Sequence, residues 1–297
     1  MNRPLDIRSP GSARPARPIR LIALDLDGTC LDTEQRLNPR IRDAVRVTAE
    51  AGVTVVVATG RMYRSALPWA YELGVTAPLI CYQGALVRAV PTADSPVVCG
   101  HAQGELVAEH AVESATALCA LHEARLHNWH FQAYQDDELL CEQDRPEARL
   151  YARIAQITPT FVDDLEPLLQ AGSTKVVCVV EDPEEAQECE DRMSGLLGKS
   201  ARVMRSRPEF VEIINPRASK RLALEGLCTR LGIDMADTGA VGDAPNDVDM
   251  LAGAAFAVAV ETEDRRLLDV ADALCAGPED GGVADVLEAV ITSRRPD

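Results

Sequence analysis

No C-x-x-C pair occurs in the 297 residues, there is no internal repeat, and no run approaches about 18 consecutive apolar residues. A membrane-spanning helix and a zinc ribbon are therefore not expected. The nine cysteines stand singly, which suits reduced thiols in a cytoplasmic protein. His122, His127 and His130 lie close enough to invite a metal reading, but polar positions around a strand are the favoured one. Basic charge is also in short supply. Thirty Lys and Arg face 47 Asp and Glu, a formal net charge of −17, so a polyanion such as nucleic acid is repelled and is not an expected partner. A small phosphate ligand would need a local positive site inside that field. Finally, Met1–Pro18 has four arginines and several prolines but no apolar stretch. It fails as a signal peptide and reads as a disordered tail.

What is present is a series of buried strands that end in polar residues. The length suits two domains. Leu21–Leu24 is an apolar run without polar alternation, the pattern of a strand buried on both faces, and it leads into Asp25-Leu26-Asp27-Gly28-Thr29. Asn38-Pro39 is a helix start, an N-cap followed by proline at the first helical position, and Gly52 closes that helix. Residues 53–58 repeat the buried-strand pattern and stop at Thr59-Gly60-Arg61; a helix over 62–73 and a short strand over 78–82 follow. Alternating strands and helices mark a parallel sheet. After Gln83-Gly84 the texture changes. A long helical pattern covers 104–124, two strands flank Asp136-Asp137, a strand covers 175–180, a helix 183–197, and 201–214 is strand-like. From Ser219 the parallel pattern resumes, through Gly242-Asp243 and two further strands to an amphipathic last helix.

The expected class is α/β: a doubly wound parallel-sheet core formed by 19–83 plus 213–297, with an α+β unit over 84–212 inserted as a second domain, and 1–18 as the tail. Four polar clusters then lie at strand tips or a helix start: Asp25 with Asp27, Thr59 with Gly60, Lys220, and Asp243 with Asn246 and Asp247. Any one of them is an ordinary turn or cap. Together, at corresponding edges of one sheet, they mark a site, because ligands bind at the carboxyl ends of parallel strands. Asp25 and Asp27 are two residues apart on an extended chain, so they are expected on the same side, where their repulsion calls for a cation or a shared proton.

With these motifs assembled, the sequence resembles the haloacid dehalogenase superfamily of phosphohydrolases, and within it the Cof-like (class IIB) sugar-phosphatase group, which carries a large α/β cap. Asp25-Leu26-Asp27-Gly28-Thr29 matches the first family motif, Thr59-Gly60-Arg61 the second, Ser219-Lys220 the third, and Gly242-Asp243-Ala244-Pro245-Asn246-Asp247 the fourth. The resemblance implies a Rossmann-like core, one Mg²⁺, and hydrolysis of a small phosphorylated metabolite, such as a sugar phosphate, through an aspartyl-phosphate. Asp25 would be nucleophile and metal ligand. Asp27 would ligate the metal through its carbonyl and act as acid and base through a carboxyl of raised pKa. Thr59, Gly60, Lys220 and Asn246 would hold the phosphoryl group, Asp243 the metal, and Asp247 a metal-bound water, Lys220 or a helix N-terminus.

Three positions depart from the family pattern: Gln83 where Asn is common, Arg221 where Gly is common, and Glu261 where Asn is common. Within the cap, His127, Trp129, His130 and Tyr134 are candidates for gripping a sugar, weighed against ordinary packing. Other chemistries use the same fold. A dehalogenase has no leaving group that needs the Asp27 proton; a phosphomutase would need a sugar bisphosphate; and a non-catalytic binding or regulatory module would have no use for the second carboxylate.

Overall fold

The computed structural model describes residues 3–293. A five-stranded, all-parallel sheet runs in the order Ala273–Cys275, Phe256–Val260, Thr238–Gly242, Leu21–Leu24, Thr54–Val57. Strands from both ends of the sequence thus share one sheet, as the return of the parallel pattern after residue 219 predicts. Every residue of Leu21–Leu24 is buried, in keeping with a strand covered on both faces. The helices Pro39–Glu50 and Gly282–Thr292 pack on one face, and Lys220–Leu231 and Val248–Gly253 on the other. Asn38 caps its helix by accepting the Arg40 N–H at 2.9 Å, and Ser219 caps the later one by accepting the Leu222 N–H at 3.2 Å.

A six-stranded sheet lies between the two halves in sequence, in the order Thr160–Phe161, Glu138–Cys141, His130–Gln135, Val176–Val179, Phe210–Ile214, Arg202–Arg207. Its pairings are antiparallel except for the first. Helices Ser114–Leu126 and Pro183–Leu197 cover one face around Leu121, Met193 and Val211. The other face carries Tyr134, Val177 and Phe210, with Tyr151 of the helix Pro146–Ala155, into the same apolar cluster as Met62, Tyr63 and Tyr82, so this sheet packs down onto the core. Polar contacts also bind the pair, among them two to one carboxylate. Asp137 accepts the Tyr82 hydroxyl at 2.7 Å and the Arg64 N–H at 2.6 Å.

Two expectations need correction. The helical pattern over 104–124 divides: Leu106–Glu109 is a strand beside Leu86–Arg88, and the helix begins only at Ser114. Pairing with a neighbouring strand overrides local periodicity there. The tail is also more ordered than its composition predicts. Leu274 donates to the Leu5 carbonyl, Ile7 donates to the Leu274 carbonyl at 2.6 Å, and Ile7 is 2% exposed. A single buried isoleucine anchors a segment otherwise rich in arginine and proline; Met1 and Asn2 lie outside the described residues. All nine cysteines are free thiols, and among the described residues no helix is long and apolar enough to cross a membrane.

Candidate active site

The register of the core sheet places the site. Leu24 pairs with Val57 on one side and Val241 on the other, so the residues that follow each strand, Asp25, Thr59 and Asp243, emerge together at one edge. Lys220 reaches them from the first position of its helix. Its ammonium, 1% exposed, donates to Asp25 Oδ1 at 2.7 Å and to Asp247 Oδ1 at 2.6 Å. The second Asp247 oxygen accepts the N–H groups of Asp243 and Ala244 at 3.2 and 3.1 Å. Asp247 therefore does one of the things expected of it, holding Lys220; it makes no side-chain cap bond to the helix Val248–Gly253, and its second oxygen instead fixes the loop that carries Asp243. Thr29 donates its hydroxyl to Asp243 Oδ1 at 2.8 Å, a contact the sequence did not single out. Gly28 sits at φ +79°, and a Cβ there would lie 2.3 Å from Asp243 Oδ2. Only glycine allows both that backbone and that approach.

Electrostatics follow from burial and crowding. Burial, then the carboxylates of Asp247, Asp243 and Asp27, push Asp25 well above the usual carboxylate range against the opposing pull of Lys220. Asp243 rises to about 6, chiefly through burial and then Asp247. Burial works against charge on Lys220, but Asp247 and Asp25 outweigh it and raise its pKa. Asp25, Asp243 and Asp247 each offer a carboxylate oxygen within 4.8 Å of the others. Three carboxyl groups face one ammonium at the bottom of the site, an excess of acid that their raised pKa values reflect. That excess and an all-oxygen donor set fit a divalent hard cation such as Mg²⁺.

Asp27 departs from expectation. Its side chain lines the same cleft as Asp25 but, 48% exposed, is held in a bidentate clasp with Arg61 at 2.7 and 2.6 Å, joined by Gln35 at 3.0 Å. Arg61 also donates to Gln35 Oε1. Burial alone would raise the Asp27 pKa, but the Arg61 hydrogen bonds and charge, with Gln35, outweigh it and the net shift is downward. The raised value expected from neighbouring negative charge is not found, because a guanidinium stands closer than those charges do.

Thr59 is buried; its hydroxyl oxygen accepts the Arg61 N–H at 3.1 Å and its N–H donates to the Ile80 carbonyl at 2.8 Å. A Cβ on Gly60 would lie 2.4 Å from Gln83 Nε2, so the close neighbour that needs the missing side chain is Gln83. Gln83 Oε1 in turn accepts from Asn246 at 2.9 Å. The Gln83 departure thus connects Gly60 to Asn246. Arg221 pairs with Glu225 one turn along its own helix, and Glu261 stands at φ +26° next to Gly277. Neither lines the main cleft.

That cleft, of about 280 Å³, is lined on the core side by Asp25, Asp27, Thr59, Gly60, Asp243 and Asn246, and on the other by Tyr151, Ile154, Ser206, Arg207, Phe210 and Glu212. The four candidates for gripping a sugar do not line it and are used in packing, the alternative weighed against that role. His127 stacks on Trp129 with ring centroids 4.5 Å apart, His130 is buried beside Cys141, and Tyr134 is buried in the apolar cluster against Tyr82. The helix that supplies Tyr151 and Ile154, Pro146–Ala155, carries a legible start in Pro146 and Glu147.

A sequence model of the haloacid dehalogenase-like hydrolases matches residues 22–287. The chain belongs to the haloacid dehalogenase-like hydrolases. Its relatives include the HMP-PP phosphatase of Cronobacter sakazakii, 30% identical over 237 residues that cover 78% of this chain and 80% of that protein. Among solved structures, a Thermotoga maritima protein is 27% identical with a TM-score of 0.79, over 91% of this chain and 97% of that one. A subclass IIB sugar phosphatase of the superfamily, BT4131, shares the fold at 16% identity and a TM-score of 0.76, over 91% of this chain and 98% of that one. Within the superfamily the chain is an enzyme of the phosphatase kind, and its α/β fold is the one these solved structures share.

Proposed function

We propose that the chain is a Mg²⁺-dependent phosphatase of a small phosphomonoester that works through an aspartyl-phosphate on Asp25. The observation that carries the reading is the buried Lys220 ammonium held between Asp25 and Asp247 at the convergent strand ends. Burying a lysine this fully is costly unless it is paired, and here it faces the place where charge would develop on a transferring phosphoryl group. Asp25 and Asp243, with the Asp27 carbonyl, would hold the metal. Bound Mg²⁺ supplies the charge neutralisation that lets an anionic ester approach carboxylates.

The steps belong to this chain's own residues. Lys220 fixes Asp25 Oδ1, and the free oxygen attacks phosphorus in line; an O–P bond forms as the ester P–O bond breaks. Asp27 gives its proton to the departing oxygen, then takes one from the water that cleaves the acyl phosphate. For this the Asp27 carboxyl, which already lines the cleft, must leave the Arg61 clasp that lowers its pKa and take up a proton. Thr59 and Asn246 donate to phosphoryl oxygens, and the wall formed by Tyr151 and Phe210 excludes water. The α+β unit over 84–212 serves as the cap that sets access.

The test is phosphate release from a panel of sugar phosphates, nucleotides and p-nitrophenyl phosphate, with Mg²⁺ and with chelator. Release that needs Mg²⁺ supports the reading. Release unchanged by chelator overturns the metal assignment, and no release from any ester, together with capture of a protein partner, favours a regulatory module.

A further inference from the structure

The cap wall of the cleft contains a buried carboxylate for which the proposed phosphoryl transfer has no use. Glu212, in the strand Phe210–Ile214, is 4% exposed and lines the same cleft as Asp25 and Asn246. Its Oε1 accepts from Lys175 Nζ at 3.0 Å and from Ser206 Oγ at 2.8 Å. Its Oε2 is shielded from solvent and has no hydrogen-bond partner. Lys175 lies behind it, 1% exposed, with its ammonium 5.1 Å from the Tyr134 ring centroid and 5.8 Å from that of Tyr82.

A buried acceptor without a donor is costly, and such groups in native proteins call for an explanation. Lys175 pairs with Glu212 at 3.0 Å and cancels its charge, so the pair presents acceptor capacity without net attraction for a cation. The terminal torsion of a glutamate is soft. A modest turn about it would bring Oε2 toward the cleft that Glu212 lines. Beside it, Phe210 and Tyr151 pack with ring centroids 4.8 Å apart, an apolar surface suited to the C–H face of a carbon skeleton.

We propose that Glu212 is the specificity-determining residue of the cap wall: Oε2 accepts an O–H or N–H from the leaving group and rejects leaving groups that carry an anion or no donor at that end. An ionised carboxylate can only accept, so a second carboxylate or phosphate arriving there would meet a filled acceptor in a low dielectric. The inference rests on the phosphatase reading above, and it assigns the chemistry of the part of the substrate remote from phosphorus.

The experiment compares kcat/KM for glycerol 1-phosphate, ribose 5-phosphate and glucose 6-phosphate with that for propyl phosphate and phosphoglycolate, in the full chain with Mg²⁺. In the wild type at least one hydroxylated ester is preferred over propyl phosphate, and phosphoglycolate is poor. In Glu212→Gln that preference falls roughly tenfold to a hundredfold, the range for a hydrogen bond to a charged group. Because Glu212→Gln leaves Lys175 without its counter-ion, the double variant Lys175→Met/Glu212→Leu replaces the pair by apolar groups of similar size; it too loses the preference. Equal use of propyl phosphate and all three hydroxylated esters by the wild type overturns the inference, as does a preference that survives in both variants. Absence of turnover on every ester in the wild type would instead overturn the phosphatase reading beneath it.

Discussion

Replacing Lys220 by methionine tests how the site holds its carboxylates together. The ammonium sits 2.7 Å from Asp25 and 2.6 Å from Asp247, and all three side chains are nearly inaccessible. Without it, Asp25, Asp243 and Asp247 keep ligand oxygens within 4.8 Å of one another. At an effective dielectric of about 20, two unit charges at that separation repel by roughly 3.5 kcal/mol. Removing one partner of a buried ion pair costs about 3–5 kcal/mol, which for a chain of this length lowers Tm by about 5–8 °C. The loss belongs to the metal-free protein, because a divalent cation offsets the same repulsion. Thermal unfolding of wild type and Lys220→Met, each in chelator and in excess Mg²⁺, should therefore show a larger gap in chelator. Turnover should fall by about 10²–10³, the scale for losing one donor to a transition-state oxygen. An unchanged Tm in chelator, or a gap that Mg²⁺ does not narrow, would refute the reasoning.

Two further outcomes follow from the same cluster. Asp243 titrates near 6 in the folded chain against 3.8 as its ordinary value, so between those pH values the folded state keeps a proton that the unfolded state has lost, and stability falls as pH rises. Asn mimics the protonated form: metal-free Asp243→Asn should gain up to about 3 kcal/mol on wild type between pH 4 and 7 in chemical unfolding, and an equal difference at both pH values would contradict it. Gly28→Ala forces a left-handed backbone on an L-residue and a Cβ into Asp243 Oδ2; it should cost about 1–2 kcal/mol of stability and weaken Mg²⁺ binding measured by calorimetry. Wild-type metal affinity in that variant would show that the close approach has no function.

The site was largely legible because its residues follow buried strands whose apolar runs are unmistakable, and parallel pairing brings the ends of such strands to one edge. Asp25, Thr59 and Asp243 need no more than that rule, and Lys220 joins them from a helix start marked by Ser219. Asp27 was harder. Period two places it on the Asp25 side, but the side chain is captured by Arg61, a contact between residues 34 apart that no local pattern encodes. The cap wall was illegible for a related reason. Tyr151, Phe210 and Glu212 meet only after a helix and a hairpin distant in sequence fold over the core, and the aromatic and imidazole residues that drew attention, Trp129 and His130, are used for packing inside the cap. The tail was misjudged because one buried residue, Ile7, outweighs the composition around it.

The central claim is that Asp25 carries the phosphoryl group. Acid-quenching the Mg²⁺-loaded enzyme during turnover of p-nitrophenyl phosphate, followed by mass spectrometry of the peptide containing Asp25, tests it most directly. The account predicts a hydroxylamine-labile phosphate on Asp25, absent in Asp25→Asn together with turnover. Turnover without a phosphorylated Asp25, or an Asp25→Asn variant that still releases phosphate at the wild-type rate, would contradict it.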